Sequence, residues 1–310
     1  CLVEGPDGKK VITAMKAREL GKKSVVVGDL VSIVGDISGD EGSLARVVTV
    51  LPRKNSLTRS IDDHANDERV IVANIDQMAI VIAAANPEPR VGLVDRALVV
   101  AYDQGITPII IMTKKDLADG SDFLQIYKDL DILVFKIDKS SDLTALQKAL
   151  LGKTTVLLGH SGVGKSTLVN NLLASSTNRA SESLFEKIDR ATGDVNEVTG
   201  RGRHTTSSAI ALPLSSSLDG RDFGWVIDTP GVRSFGIAHI QSARVISSFP
   251  EFREAISHCQ KNCTHNEVDC ALNHWPSFTD QNLARLASLR RRRPRTYIPR
   301  FSRRWPRRAD

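Results

Sequence analysis

Leu157-Leu158-Gly159-His160-Ser161-Gly162-Val163-Gly164-Lys165-Ser166-Thr167 is the stretch from which the fold can be read. It has the spacing GxxxxGK[ST]. An apolar run, Val156–Leu158, precedes the glycines and an apolar-periodic helix, Lys165–Ala174, follows them. Strand, glycine-rich loop and helix in that order make a phosphate cradle. Glycines let successive backbone N–H groups turn inward on an anion, and the helix N-terminus adds its dipole. Gly159, His160, Ser161, Gly162, Val163, Gly164 and Thr167 then surround the phosphates. Lys165 reaches the β- and γ-phosphates, and the Ser166 hydroxyl is a ligand for Mg²⁺. A plain glycine turn has no need of Lys-Ser at its end.

Outward from this loop the chain alternates strand and helix. Met78–Ala84, Ile109–Met112, Ile132–Ile137, Val156–Leu158, Ile210–Leu214 and Trp225–Ile227 are apolar runs of strand length. Leu93–Gln104, Leu143–Leu150 and Lys165–Ala174 have helical character. The alternation predicts a mostly parallel sheet with helices on both faces. Residues 1–60 differ: Val11–Met15, Ser24–Val27, Leu30–Val34 and Leu44–Val50 are short strands punctuated by Gly, Asp and Lys. They predict a small β-barrel, an OB-fold or another small all-β module. Ser175–Ser208 is one long polar stretch, of a length that is functional or mobile inside a compact domain. After Ile240 come a helical segment, a cysteine cluster, a helix over Asp280–Leu289 and an arginine tail. The chain opens at Cys1 rather than Met, so native residues are expected ahead of it.

Two further motifs select the nucleotide. Asp228-Thr229-Pro230-Gly231 follows Trp225–Ile227 and fits DxxG. Asp228 is placed to hold Mg²⁺ through water, and the Gly231 N–H to meet a γ-phosphate. Thr113-Lys114-Lys115-Asp116 follows Ile109–Met112 and resembles NKxD. The Asp116 carboxylate can accept from guanine N1–H and N2–H₂ together, a pair of donors that adenine lacks. The Lys114 methylenes would lie along the base. Thr113 stands where the pattern has Asn, and its short hydroxyl cannot donate and accept as an amide does. GTP/GDP with Mg²⁺ is the expected ligand, and an ATP-driven kinase is the alternative that Asp116 opposes. The order is unusual, because Asp116 precedes Lys165 whereas ordinary GTPases carry the P-loop first. The predicted fold class is therefore α/β, a circularly permuted P-loop GTPase domain.

Cys259, Cys263, His265 and Cys270 read C-x₃-C-x-H-x₄-C. Three thiolates and one imidazole fill a tetrahedral site and leave no open position, so one structural Zn²⁺ is expected. His258 and His274 are rival ligands, and free buried thiols are the alternative. Clustered cysteines of this kind belong to a reducing compartment rather than a disulfide framework.

The net charge of +6 is unevenly spread. Ten arginines lie between Arg290 and Arg308 against one acid, Asp310, whereas residues 1–289 hold 32 basic and 35 acidic side chains, a net of −3. A basic arm on an acidic body fits nucleic acid, or else a solvated tail. No apolar run approaches the ~20 residues of a membrane helix, so no membrane partner is expected.

The whole arrangement resembles the RsgA/YjeQ family of circularly permuted ribosome-biogenesis GTPases. The likeness rests on Val27-Gly28-Asp29-Leu30-Val31, Leu51-Pro52-Arg53-Lys54-Asn55, Ala73-Asn74-Ile75-Asp76-Gln77, the wording of the P-loop, Gly200-Arg201-Gly202-Arg203-His204-Thr205-Thr206 and the Cys-Cys-His-Cys cluster. It implies an N-terminal OB-fold over residues 1–62 that binds RNA, the permuted GTPase domain over 68–240, and a C-terminal α-helical zinc-binding domain with the basic tail over 241–310. It also implies a cytoplasmic monomer that binds the small (30S) ribosomal subunit and its 16S rRNA late in maturation, with ribosome-stimulated hydrolysis of GTP. Gly200–Thr206 takes the place of switch I, where Thr205 or Thr206 would close over Mg²⁺ and the γ-phosphate. Val232 stands where Ras-like enzymes place a water-orienting Gln. His204 is the catalytic candidate that the resemblance implies, and an exposed loop histidine is the alternative. The chain departs from the family at Thr113, near Lys136-Ile137-Asp138, where the usual Ser-Ala pair is missing and the guanine contact is left unplaced, and in its richer arginine tail. A nucleotide-gated RNA-binding assembly scaffold with negligible turnover is the second functional reading.

The tail yields a test on its own. Tyr297, Phe301 and Trp305 alternate with its arginines, so it offers phosphate neutralisation and stacking faces together. Deleting residues 290–310 should weaken binding to small ribosomal subunits and flatten its dependence on salt, because fewer phosphates are neutralised. Unchanged affinity and salt slope in the truncated protein would remove the tail from the binding surface.

Overall fold

The structure, a computed structural model, describes residues 1–5, 8–21, 25–40, 42–60, 68–174, 209–215, 223–229, 240, 245–246, 248–261, 263, 265–276 and 279–292. The chain divides into two compact units, Cys1–Ile237 and Ala238–Asp310.

The first unit opens with a β module. Strands β1 (Leu2–Gly5) and β2 (Gly8–Val11) form an antiparallel pair. Strands β3 (Ala14–Lys16), β4 (Val31–Gly35) and β5 (Ala45–Val50) form a second sheet in the order β3-β5-β4. The expected strand Val11–Met15 is thus divided between β2 and β3. Ser24–Val27 contributes only a single bridge, Val27 to Val72, among the described residues. A further hairpin, β6 (Ser56–Ser60) with β7 (Glu68–Ala73), leads into the main sheet.

That sheet has six strands in the order β10-β9-β8-β11-β13-β12. They are β8 (Gln77–Ala83), β9 (Thr107–Thr113), β10 (Leu133–Lys136), β11 (Thr154–Leu158), β12 (Ile210–Ser215) and β13 (Phe223–Asp228). All neighbours are parallel except β12, an antiparallel edge on β13. Helices α1 (Val91–Asp103), α2 (Ser121–Gln125), α3 (Thr144–Leu150) and α4 (Lys165–Ala174) lie between the strands. β8 is buried along its whole length, as a central strand of a parallel sheet covered on both faces must be. Its odd-numbered residues Ala79, Val81 and Ala83 join a core with Leu146 and Leu150 of α3 and Leu168 and Leu172 of α4. α1 packs on β8 and β9. Three strands of this sheet, β8 to β10, precede β11 and the glycine loop that follows it, so the permuted order read from the motifs is the order of the fold.

A polar seam joins the β module to the sheet. Arg53 donates to both carboxylate oxygens of Asp29, at 2.6 and 2.9 Å. Asp29, whose side chain is 1% exposed, also accepts from Val26 N–H at 2.8 Å. The Asn55 side chain pairs with the backbone of Ile75 in both directions, at 2.7 and 2.8 Å. Asn74 donates to the Gly28 carbonyl at 2.9 Å. Gly28 has φ +89° and lies so close to β7 that a Cβ would sit 2.0 Å from the Ala73 carbonyl oxygen, so no other residue fits. Asp76 pairs with Lys54 and accepts from Thr154 N–H at 2.7 Å, at the start of β11.

The second unit holds a 3₁₀ turn (Pro250–Phe252), the short helix α5 (Arg253–Ser257) and the long helix α6 (Asp280–Arg292). Phe249 and Phe252 stack with centroids 5.9 Å apart. Arg285 of α6, almost wholly buried, pairs with Glu251 and lies 4.7 Å over the Phe249 ring.

The Asp29–Arg53 pair carries a stability consequence. Asp29→Ala strips a partly buried guanidinium and a backbone N–H of their acceptor, and hydrogen bonds to charged groups contribute about 1.5–3 kcal/mol. Urea unfolding should show a loss of about 2–3 kcal/mol, and an unaltered midpoint would mean that the seam does not hold the module.

Candidate functional site

Residues from both sides of the permutation meet at the C-terminal ends of the parallel strands. Gly159 begins the loop after β11, and a Cβ there would lie 2.3 Å from the Val81 carbonyl oxygen of β8. Close packing against the neighbouring strand therefore demands glycine at this point. Gly162 and Gly164 have φ of +81° and +92°, the left-handed backbone that turns N–H groups into a concave nest. Between them Val163 is buried and anchors the loop in the α3/α4 core. His160, Ser161, Ser166 and Thr167 occupy the loop and the first turn of α4, where they border solvent.

Lys165 folds back and donates to the carbonyls of Gly159 at 2.8 Å and His160 at 3.0 Å. Burial lowers its pKa, and the carboxylate of Asp228 opposes that shift. Asp228 ends β13. Among the described residues its Oδ1 is a buried carboxylate oxygen with no hydrogen-bond partner. A buried carboxylate oxygen without a hydrogen-bond partner is costly unless a cation or water fills the site. With the Ser166 hydroxyl at the start of α4, these oxygens fit a hard cation such as Mg²⁺. Thr229 is fixed by donating to the Leu157 carbonyl at 3.0 Å. Gly231, His204, Thr205 and Thr206 lie outside the described residues.

The base-recognition motif closes the other end. Thr113 is 6% exposed and ends β9. Its hydroxyl donates to the Val163 carbonyl at 2.6 Å, with the Ile82 carbonyl 3.2 Å away. A hydroxyl has one proton, so Thr113 acts as a tether to the phosphate loop and has no donor left for a base. This is the physical meaning of Thr in place of Asn. Lys114 takes a left-handed backbone, φ +56°, and its ammonium reaches the Asn86 carbonyl. Asp116 and Leu117 remain exposed on the turn that follows. A cavity of about 260 Å³ opens between this turn and the phosphate loop. Thr113, Lys114 and Asp116 border it on one side, and Gly164, Thr167 and Asn171 on the other. Lys115 points elsewhere: its ammonium lies 3.7 Å from Asp138, and it does not line the cavity.

The third wall was not placed by sequence reasoning. Ile137, Asp138, Lys139 and Leu143 complete the cavity. The signal for it was an acceptor followed by two hydroxyls, Asp138-x-Ser140-Ser141, directly after a strand-length apolar run.

In the second unit Cys259, Cys263, His265 and Cys270 bring one ligand atom each within 4.8 Å of the others. The sulfurs of Cys259 and Cys270 are 3.8 Å apart, and His265 Nδ1 lies 3.5 and 3.7 Å from them. A tetrahedral ion about 2.3 Å from sulfur and 2.0–2.1 Å from nitrogen has ligand–ligand edges of about 3.5–3.8 Å, so the donor set fits such an ion. Arg290 of α6 donates to the His265 carbonyl at 2.8 Å and holds the loop from behind. The rivals are elsewhere: His258 packs against Trp275, ring centroids 5.1 Å apart, and neither it nor His274 joins the cluster.

A family model described as RsgA GTPase matches residues 50–238. A small ribosomal subunit biogenesis GTPase RsgA from Gemmatimonas aurantiaca is 32% identical over 281 residues, covering 88% of this chain and 85% of that protein. Its namesake from Pseudomonas aeruginosa is 35% identical over 245 residues, covering 76% of this chain and 66% of that protein, so the match spans slightly less than two thirds of the relative. Among solved structures, YjeQ from Thermotoga maritima aligns with a TM-score of 0.59 at 24% identity, over 94% of this chain and 95% of that one. YloQ, described as a circularly permuted GTPase, aligns with a TM-score of 0.57 at 25% identity, over 95% and 91%.

Metal content tests the cysteine cluster. Purified protein should carry one zinc per chain, and His265→Ala should lose it while His258→Ala and His274→Ala keep it. Elemental analysis showing no metal, or retention in the His265 variant alone, would overturn the ligand set.

Proposed function

The chain belongs to the RsgA GTPase family, and from that premise we propose that it binds GTP and GDP with Mg²⁺ and hydrolyses GTP to GDP and phosphate on the small ribosomal subunit, assisting late maturation. The observation that carries this reading is the cavity that Lys114 and Asp116 share with Gly164 and Thr167, where the phosphate loop turns into α4. A base seated in it would have its phosphates beside that loop. The names of the curated relatives support the ribosomal assignment. The proposed organisation is an OB-fold over 1–62, the GTPase domain over 68–240 and a zinc domain over 241–310, in a cytoplasmic monomer that contacts 16S rRNA. No helix among the described residues is long and apolar enough to cross a membrane.

In this mechanism Asp116 accepts the guanine N1–H and N2–H₂ pair, and the Lys114 stem covers one face of the base. Backbone N–H groups of the glycine loop hold the phosphates. Lys165, already held at the mouth of the loop by the Gly159 and His160 carbonyls, exchanges those acceptors for phosphate oxygens. Ser166 and Asp228 would hold Mg²⁺, which would supply charge neutralisation at the phosphates. Gly231, Thr205 and Thr206 are proposed to sense the γ-phosphate, and His204 to orient or deprotonate the attacking water. Cys259, Cys263, His265 and Cys270 would hold Zn²⁺ in a structural role, because four protein donors would leave no open position. Val232, in the place of a water-orienting Gln, favours the second reading, a nucleotide-gated scaffold that hardly turns over.

Nucleotide competition decides the reading. GTP and GDP should displace a fluorescent guanine nucleotide and ATP should not; Asp116→Asn should shift preference toward xanthine nucleotides, and Lys165→Ala should abolish binding. Equal affinity for ATP and GTP would sink the assignment. Turnover with purified small subunits separates enzyme from scaffold, and His204→Ala should slow it by roughly 10²–10⁴ with binding intact.

A further inference from the structure

The geometry points to Asp138 as a specificity-positioning residue, which holds the third wall of the base cavity and, through it, the register of Asp116. The inference rests on the reading of this cavity as a guanine site. Asp138 follows β10, where the common pattern has Ser-Ala. It lines the cavity, yet its carboxylate is turned back on its own loop. Oδ1 accepts from Ser140 N–H at 2.8 Å and from the hydroxyls of Ser140 and Ser141, both at 2.9 Å. The Ser141 oxygen in turn accepts from Asp138 N–H at 2.9 Å. Four hydrogen bonds thus close residues 138–141 into one compact turn.

That turn is tied to the recognition motif at two points. Lys115 N–H donates to the Ile137 carbonyl at 3.2 Å, and the Lys115 ammonium faces Asp138 Oδ2 at 3.7 Å. Ile137 is itself fixed, buried and donating to the Met112 carbonyl of β9 at 2.8 Å. Lys115 immediately precedes Asp116, so the wall and the base acceptor move together. Hydrogen bonds from Ser140 and Ser141 lower the Asp138 pKa, so the acceptor stays ionised further into acid than a free carboxylate. Lys115 is substantially exposed, so its ion pair contributes little. The hydrogen-bonded turn carries the effect. With Oδ1 filled by three donors, Asp138 is a support and Asp116 alone meets the base edge.

The test compares three probes on the full chain: GDP, IDP (which lacks the 2-amino group) and inorganic pyrophosphate. Asp138→Ala should weaken GDP about tenfold, the order set by losing one capping carboxylate. It should bring the GDP and IDP affinities closer together and leave pyrophosphate affinity where it was, with the thermal midpoint lowered by no more than a few degrees. Asp138→Asn keeps an oxygen acceptor and loses only the ion pair, so it should stay within about threefold of wild type. Two outcomes overturn the inference: an alanine variant with unchanged GDP affinity and unchanged preference over IDP, or one that loses GDP and pyrophosphate alike. Wild-type protein that binds no guanine nucleotide would instead overturn the functional reading and this inference with it.

Discussion

The hydrogen bond from the Thr113 hydroxyl to the Val163 carbonyl is the contact on which the nucleotide site depends. It joins the end of β9 to the middle of the glycine loop, 50 residues apart in the chain. Base recognition and phosphate binding come from different halves of a permuted sequence, and the sheet order alone brings them only to neighbouring strand ends. A buried carbonyl left without a donor costs about 1–3 kcal/mol, so the loop conformation that satisfies Val163 is favoured over its alternatives. The cavity is then a property of the whole sheet and not of either motif.

The same logic operates at the opposite end of β8. Asp76 leads directly into the strand that pairs with both β9 and β11. Its carboxylate takes the Thr154 N–H and its neighbours Asn74 and Ile75 bind Gly28 and Asn55. Polar side chains here stand in for missing backbone partners, as they must where two sheets abut without continuing each other. The β module is therefore held by directional bonds with little tolerance for substitution.

Much of this could be read from the residues. The six strands of the sheet, its three longer helices and the three motif positions follow from apolar runs and from glycines before Lys165, because a doubly covered sheet admits few other patterns. The small β module was harder. β1, β2 and β6 lack long apolar runs, the run Val70–Ala73 of β7 stands apart from the alternation that marks the main sheet, and the segment ending at Val27 reads as a strand but makes one bridge among the described residues, where Val26 N–H turns to Asp29. Within the site, Lys115 belongs to the motif by spacing and yet faces Asp138. The wall at Asp138 was hidden because its chemistry is a self-contained turn, which has no long-range pattern. His265 reads as the ligand from its place between the cysteines, with His258 and His274 as rivals; the proximity of its Nδ1 to two sulfurs supports that choice.

The permuted strand order also has a temporal side. During synthesis β8 emerges with β9 and β10 soon behind it, but its other neighbour, β11, begins only at Thr154. At ~5–20 residues per second this interval lasts several seconds. Throughout it the most apolar strand of the sheet presents an open row of N–H and C=O groups, the kind of edge that pairs with stray chains. A conventional order would deliver the glycine-loop strand first and add the base-recognition strands to an existing sheet. Here the nascent chain must keep one flank of its central strand unclaimed until the phosphate loop arrives to complete it.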